Sequence, residues 1–448
     1  MRKRRESMIH NWFLIYVILA SVSFLLYMPK LVQFFYAFKK PQHKKADEFR
    51  KISLVIPALD ESKVIGDLFD SVDKQTYDPA SYFVNVVVKD PQDPTVELAK
   101  ARGYNVFVVP EQTCKGEALD GYFKQIGKSG IAEYDAFVII DADAVLAPDY
   151  VSELNNALEY RVDIFLSRKF IKNYLGDRSC RTIFSNCSAL TYPMLDNLGN
   201  NYRMEHGLPM NMCGQGMMVR REVIETLGGW PYRTLTEDYE LKLDSVLRGF
   251  RSMYYPYAII YTEEVLRHKE SYNRRLRWVT GYSQCDKKYK KQIKDQIRRE
   301  GAPYAKWFEF CFALVPVIMF IVTTLVIMVG GIVLTSRYAL QGNELWRSAV
   351  MKLIVLPCLV MYGLLFCYCS LAMAAYHDVF KPLSFGEKLG TLLFAPLFML
   401  EYFPIYIQSR IRARKGMKWE PTKHVEYGSE LQSTAEEQLA DVGEKHEP

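Results

Sequence analysis

The sequence predicts an α/β domain, a parallel sheet with helices on both faces, set between transmembrane α-helices at both ends. Three observations predict it. Short apolar runs alternate with amphipathic stretches over residues 52–162, the pattern of strand–helix–strand units. The uncharged stretches 311–335 and 353–377 each exceed the roughly 20 residues that cross a bilayer. A further apolar stretch, 11–29, precedes a long region of mixed, charged composition.

The N-terminal stretch reads as an anchor over 11–38. Its apolar part exceeds the roughly 7–15 residues of a signal-peptide core, and no small-residue cleavage site follows. ISLVIP (52–57) is a buried strand ended by proline. The next segment puts Val64, Ile65, Leu68, Phe69 and Val72 on one helical face. FVNVVVK (83–89) is a second strand. Asp93 then caps a helix that has Pro94 in its first turn and closes at Gly103. NVFVV (105–109) is a third strand, GEALDGYFKQI (116–126) a helix, and AFVII (136–140) a fourth strand. A helix opens at Pro148. Gly228 and Gly229 stop another at VIETL, and Thr236-Glu237-Asp238 opens the next.

Composition narrows the class. The 9 cysteines show no CxxC spacing and the 7 histidines do not cluster, so neither a disulfide framework nor a histidine-ligated metal is expected. A reducing, cytoplasmic setting fits. The net charge of +6 is mild, but basic runs at 38–45, 285–300 and 410–418 flank the apolar spans. Such flanks mark the cytoplasmic side of a membrane. Their placement argues against nucleic-acid binding. The chain then divides into a basic N-terminus (1–10), the anchor (11–38), a globular domain (39–263), an interfacial basic segment (264–303), a membrane block (304–409) and a polar tail (410–448). Glu401 and Pro404 interrupt the last apolar stretch, 389–409, which reads as an in-plane or re-entrant helix. One N-terminal span with a cytoplasmic domain puts MRKRRES on the far side, against the positive-inside tendency.

Ligands of parallel α/β sheets sit beyond the carboxyl ends of the strands. The acids there are Asp60 and Glu61, Asp90, and Asp141 with Asp143. Two aspartates at i and i+2 can address one divalent cation, and Mg²⁺ and Mn²⁺ prefer such hard oxygen ligands beside phosphate. Acids are also common turn formers, so position carries the argument. Thr236-Glu237-Asp238 is a favourable helix start in itself; its functional reading makes Asp238 a general base at a helix mouth. Arg274, Arg277 and Trp278 share one helical face, suited to a phosphate and a sugar ring. A basic membrane-surface helix with an aromatic anchor is compatible with the same residues.

In this order, VIPALDES, VVVKDPQD, CKGEALD, DAD, TED and RRLRW before apolar spans, the chain resembles the membrane-bound family 2 glycosyltransferases. These include cellulose, chitin, hyaluronan and poly-N-acetylglucosamine synthases and, more loosely, ceramide glucosyltransferases. The resemblance covers about residues 50–282. It implies a GT-A, Rossmann-like domain acting on a nucleotide-diphosphate sugar, usually UDP-linked, with inversion. It further implies Glu61 and Asp90 as uridine contacts, Lys115 in the nucleotide pocket, and Asp141 and Asp143 on a Mg²⁺ or Mn²⁺ at the diphosphate. Asp238 would be the base. Arg274, Arg277 and Trp278, with Trp230 and Glu237, would bind diphosphate and acceptor. Arg274 stands where polymer synthases favour Gln, Asp60 where Asn is common, and KDPQDP replaces a more acidic turn.

Two products follow from this resemblance. One is a β-linked polysaccharide passed through the membrane block, the other a lipid carrying one added sugar. A silent nucleotide-binding membrane protein is the third reading, disfavoured by the intact Asp141, Asp143, Asp238 and Trp278. About three spans are few for a channel in one protomer, so a homo-oligomer or an accessory membrane subunit enters the expectation. The expected location is the plasma membrane, with the catalytic domain in the cytoplasm.

Overall fold

The computed structural model describes residues 2–301, 315–415 and 424. The start of the span expected at 311, and the tail beyond 415 except His424, lie outside the described residues. Helix α1 (Arg2–Leu31) leads in. Then follow β1 (Ile52–Pro57), α2 (Ile65–Asp73), β2 (Tyr82–Val88), α3 (Pro94–Ala101), β3 (Asn105–Val108), α4 (Lys115–Ala132) and β4 (Ala136–Ile139). Asp93 caps α3 as its sequence position implies: the carboxylate accepts from Thr95 N–H at 2.9 Å, and Pro94 opens the helix. Next come β5 (Val145–Leu146), α5 (Tyr150–Ala157), β6 (Ile164–Ile171), α6 (Ile183–Ala189), α7 (Thr191–Leu195), α8 (Asn201–Glu205), β7 (Met217–Arg220) and α9 (Arg221–Leu227). Helix α10 (Glu237–Arg248), strand β8 (Ser252–Thr262) and helix α11 (His268–Glu300) complete the domain.

The eight strands form one sheet in the order β3-β2-β1-β4-β7-β6-β8-β5. The first four pair in parallel. Beyond β4 the sheet departs from the all-parallel expectation: β7 runs antiparallel between β4 and β6, and β5 antiparallel to β8. Side chains alternate between two cores, as a sheet covered on both faces requires. Leu54, Ile56, Val86, Val88, Val138 and Ile140 face one. Val55, Val87, Phe137 and Ile139 face the other, with Tyr122, Phe123 and Trp230.

The first core continues into the C-terminal helices. Tyr376, Val379, Phe380, Ala395 and Phe398 belong to the same buried cluster as the sheet residues. Polar contacts pin the junction. Arg168 pairs with Asp378 at 2.8 Å, Tyr376 donates to the buried Asp196 at 2.8 Å, and Asn197 donates to the Ala375 carbonyl at 3.0 Å. Among the described residues, four helical stretches are long and apolar enough to cross a membrane: 3–36, 317–340, 345–375 and 385–412. The last contains two helices, Phe385–Leu400 and Tyr402–Lys415, that meet at Glu401.

Candidate active site

The strand order reverses at β1, where the chain leaves for β2 and β3 and returns on the other side as β4. Such a switch point opens a crevice at the carboxyl edge. A cavity of about 470 Å³ lies there, lined by Glu61 after β1, by Asp141 and Asp143 after β4, and by residues of the α10 and α11 helices. That volume suits a small organic ligand.

Lys115 sits at the centre of the acids. It is the first residue of α4, so its backbone is fixed by the helix start. Its ammonium donates to the Asp141 carboxylate and, at 3.0 Å, to the Gly214 carbonyl. Glu237 Oε1 lies 3.5 Å away. Burial disfavours the ammonium, but Asp141 and Glu237 more than offset it and hold the Lys115 pKa above the usual range. One cation thus ties the end of β4 to the start of α10.

Thr236 does precede α10, but its side chain makes no capping bond. The capping explanation of Thr-Glu-Asp therefore loses its hydroxyl. The two acids turn into the cavity instead. Burial pushes Glu237 up to about 7 despite Lys115. It raises Asp238 as well, against the Tyr239 N–H that donates to Asp238 Oδ1 at 2.7 Å. A carboxylate of raised pKa is a stronger base. Gly214 leaves the space they occupy: a Cβ there would stand 3.1 Å from Glu237 Oε1, 3.2 Å from Lys115 Nζ and 3.5 Å from Asp238 Oδ2.

Helix α11 supplies the opposite wall. Arg274 donates to the Glu263 carbonyl at 3.1 Å and to the buried Glu264 carboxylate, and its guanidinium lies 5.0 Å from the Trp278 ring centre. Arg277 lines the cavity beside it. Burial and the neighbouring Arg274 charge lower the Arg277 pKa, while Glu237, Asp141 and Asp238 oppose that shift. Arg277 therefore faces the acids across the cavity. At the deep end, burial and the like charges of Asp141 and Glu263 push Asp143 up to about 7.

Nine of the eleven expected residues thus line one cavity: Glu61, Lys115, Asp141, Asp143, Glu237, Asp238, Arg274, Arg277 and Trp278. Two do not. Asp90 is exposed one strand away from the switch point, where it accepts from Gln92 N–H at 2.9 Å. Trp230 is fully buried in the second core, stacked 6.3 Å from Phe123. The first departs because β2 lies outside β1; the second because the indole is needed as packing under α4.

Several site residues carried no expectation. Glu263 and Glu264 follow β8 as Asp141 and Asp143 follow β4, and that shared signature of an apolar strand running into two acids could have exposed them. Arg275, between the two expected arginines, is fully buried and donates to the Phe398 carbonyl at 3.1 Å and to Glu401 at 2.5 Å. His424 reaches Glu61 at 2.8 Å and Glu263 at 3.2 Å. The tail motif KWEPTKH (418–424) ends on that histidine, but the motif suits either product and assigns the histidine no role.

The chain belongs to glycosyl transferase family group 2, whose profile matches residues 136–376. The matched span holds Asp141, Asp143, Glu237, Asp238, Arg274, Arg277 and Trp278. The chain is 25% identical over 242 residues to a "Probable glycosyltransferase" of Bacillus subtilis, covering 52% of this chain and 56% of that protein. It is 23% identical over 275 residues to a poly-β-1,6-N-acetyl-D-glucosamine synthase of Staphylococcus aureus, covering 60% of this chain and 62% of that one. The chain thus spans less than two thirds of these curated relatives. In fold it is similar to a mannosyltransferase of Pyrobaculum calidifontis solved with GDP-Man and Mn²⁺, at a TM-score of 0.52 and 18% identity, over 82% of this chain and 98% of that one. The chain is accordingly a family 2 glycosyltransferase with a GT-A-like sheet.

Proposed function

We propose that the protein transfers a sugar from a nucleotide-diphosphate donor, UDP-linked, to a growing β-linked polysaccharide, with inversion at the anomeric carbon. The observation that carries this reading is the single cavity shared by Asp238, the β4 acids and the Arg274–Arg277–Trp278 face. Asp238 accepts the acceptor hydroxyl's proton as that oxygen attacks the anomeric carbon. The bond to the diphosphate breaks, and the diphosphate leaves with the electron pair. Lys115, Arg274 and Arg277 offset its charge, Glu61 contacts the nucleotide, and Trp278 offers a face to the acceptor sugar. Glu237 positions Lys115 beside them.

The residues fit a divalent cation. Asp143 sits among like charges that disfavour its ionised form, and a cation there would relieve them. Asp141 and Asp143 would hold it. When bound, Mg²⁺ or Mn²⁺ supplies neutralising charge to the departing diphosphate. The similarity to a poly-β-1,6-N-acetyl-D-glucosamine synthase supports a polymer product. Among the described residues, four helical stretches long and apolar enough to cross a membrane support an integral membrane enzyme, and its proposed place is the plasma membrane, with the catalytic domain in the cytoplasm.

A lipid acceptor is the second reading, favoured by one feature. Met399 and Tyr402, from the membrane-capable stretch 385–412, wall the cavity together with Met194 and Leu195. Sizing the product made from each UDP-sugar with Mn²⁺ separates the two: a high-mass polymer supports the first, and a singly glycosylated lipid sinks it.

A further inference from the structure

We propose that Asp60 and Asp93 are positioning residues for Glu61: a left-handed turn at Asp60, tied to the carboxylate that caps α3, aims Glu61 into the cavity. The inference rests on Glu61 as the nucleotide contact proposed above and adds what holds it in place.

Among the described residues, Asp60 is the single non-glycine residue with a positive φ, at 59°. A Cβ makes that conformation costly, and Asp and Asn tolerate it best. Strain of this kind persists where neighbours enforce it, and it gathers at functional sites. Here the chain has to change direction at once. Beyond the end of β1, Ala58 N–H still donates to the Val87 carbonyl of β2 at 2.8 Å. The Glu61 carbonyl already accepts from Val64 and Ile65 N–H, at 3.0 Å each, as α2 opens. Leu59 and Asp60 alone lie between, so the reversal falls on them.

Asp93 enforces the turn. Its side chain is buried, and its carboxylate is shared between two backbone donors. Oδ1 accepts from Thr95 N–H at 2.9 Å, which caps α3, and Oδ2 accepts from Asp60 N–H at 3.2 Å. One side chain therefore fixes a helix start and the turn beside it. Leu59 and Glu61, on either side of the turn, line the cavity, whereas Asp60 is exposed and does not. Asp60 thus acts through its backbone conformation. The turn after β2 in the same way serves the site through Asp93, and not through the exposed Asp90.

The test measures UDP affinity with Mn²⁺ by calorimetry, and donor KM and kcat by UDP release, on the full-length protein in detergent. Asp60→Val sets a β-branched residue at the positive φ. Its UDP affinity should fall roughly tenfold, because the aimed conformer becomes the minor one. Donor KM should rise in step, with kcat changing by less than about threefold. Asp60→Gly and Asp60→Asn accept the turn and should stay within about twofold of the wild-type affinity. Asp93→Ser retains a cap for Thr95 but is too short to hold Asp60, so it should weaken UDP as Asp60→Val does; it decides the matter if Asp60→Val fails to fold. In a Glu61→Gln background, Asp60→Val should add less than about twofold, as coupled positions do. Wild-type affinity in Asp60→Val, or a tenfold loss that persists in the Glu61→Gln background, would overturn the positioning role. Undiminished UDP affinity in Glu61→Gln alone rejects the nucleotide contact and this inference with it. A loss there, with none in Asp60→Val, rejects this inference and leaves the contact.

Discussion

Lys115 holds one positive charge among Asp141, Glu237 and Asp238, and that arrangement sets how the acids behave. Burial raises Asp238 and Glu237 above ordinary carboxylates. The base form is present above the raised pKa and lost as pH falls through it. kcat/KM for UDP release should therefore fall as pH drops through the raised Asp238 pKa, and Glu237→Gln, which removes a neighbouring acid, should shift that limb to lower pH. A profile flat through neutrality would contradict the assignment. Gly214→Val should abolish turnover without unfolding the domain, because the added carbons meet Lys115, Glu237 and Asp238. Circular dichroism with a UDP-release assay checks both halves.

At the scale of elements, the four parallel strands and α3 are legible because each obeys one local rule. Their apolar runs are short and bounded by turn residues, and Asp93-Pro94 starts a helix unaided. The antiparallel half is not. Strand β6 carries Arg168 and Lys169, both buried, which break its apolar run. Strand β7 spans only four residues. Strand β8 contains Pro256, which argues against a strand. It is tolerated because the β6–β8 register jumps there, from Ser167↔Tyr255 to Arg168↔Ile259. The same blindness hid Glu263 and Glu264, since an unrecognised strand has no recognisable end. Helix α11 is positioned by close packing against the start of α10: a Cβ on Gly281 would come 2.5 Å from Thr236 Oγ1. Its other anchor is Arg275. Arg275→Ala should destabilise the protein by on the order of 3 kcal/mol, as removal of one partner of a buried pair does. Thermal unfolding in detergent measures it, and an unchanged midpoint would deny Arg275 this role.

Across the whole molecule, sheet and membrane-capable helices share one core through Tyr376, Phe380 and Phe398. The catalytic domain is thus seated on the helices that follow it, and Arg168–Asp378 and Arg275–Glu401 fix the seating. The stretch 385–412 meets the length and hydropathy of a span, yet it supplies Met399 and Tyr402 to the cavity wall. The central claim is that this cavity performs sugar transfer with Asp238 as its base. It is tested most directly by UDP release from a panel of UDP-sugars with Mn²⁺, comparing the purified wild type with Asp238→Asn. The account predicts release by the wild type from one of these donors, and a loss of about 10²–10⁴-fold in the variant with UDP binding retained. Equal release by the two proteins, or none by the wild type from any donor, would contradict it.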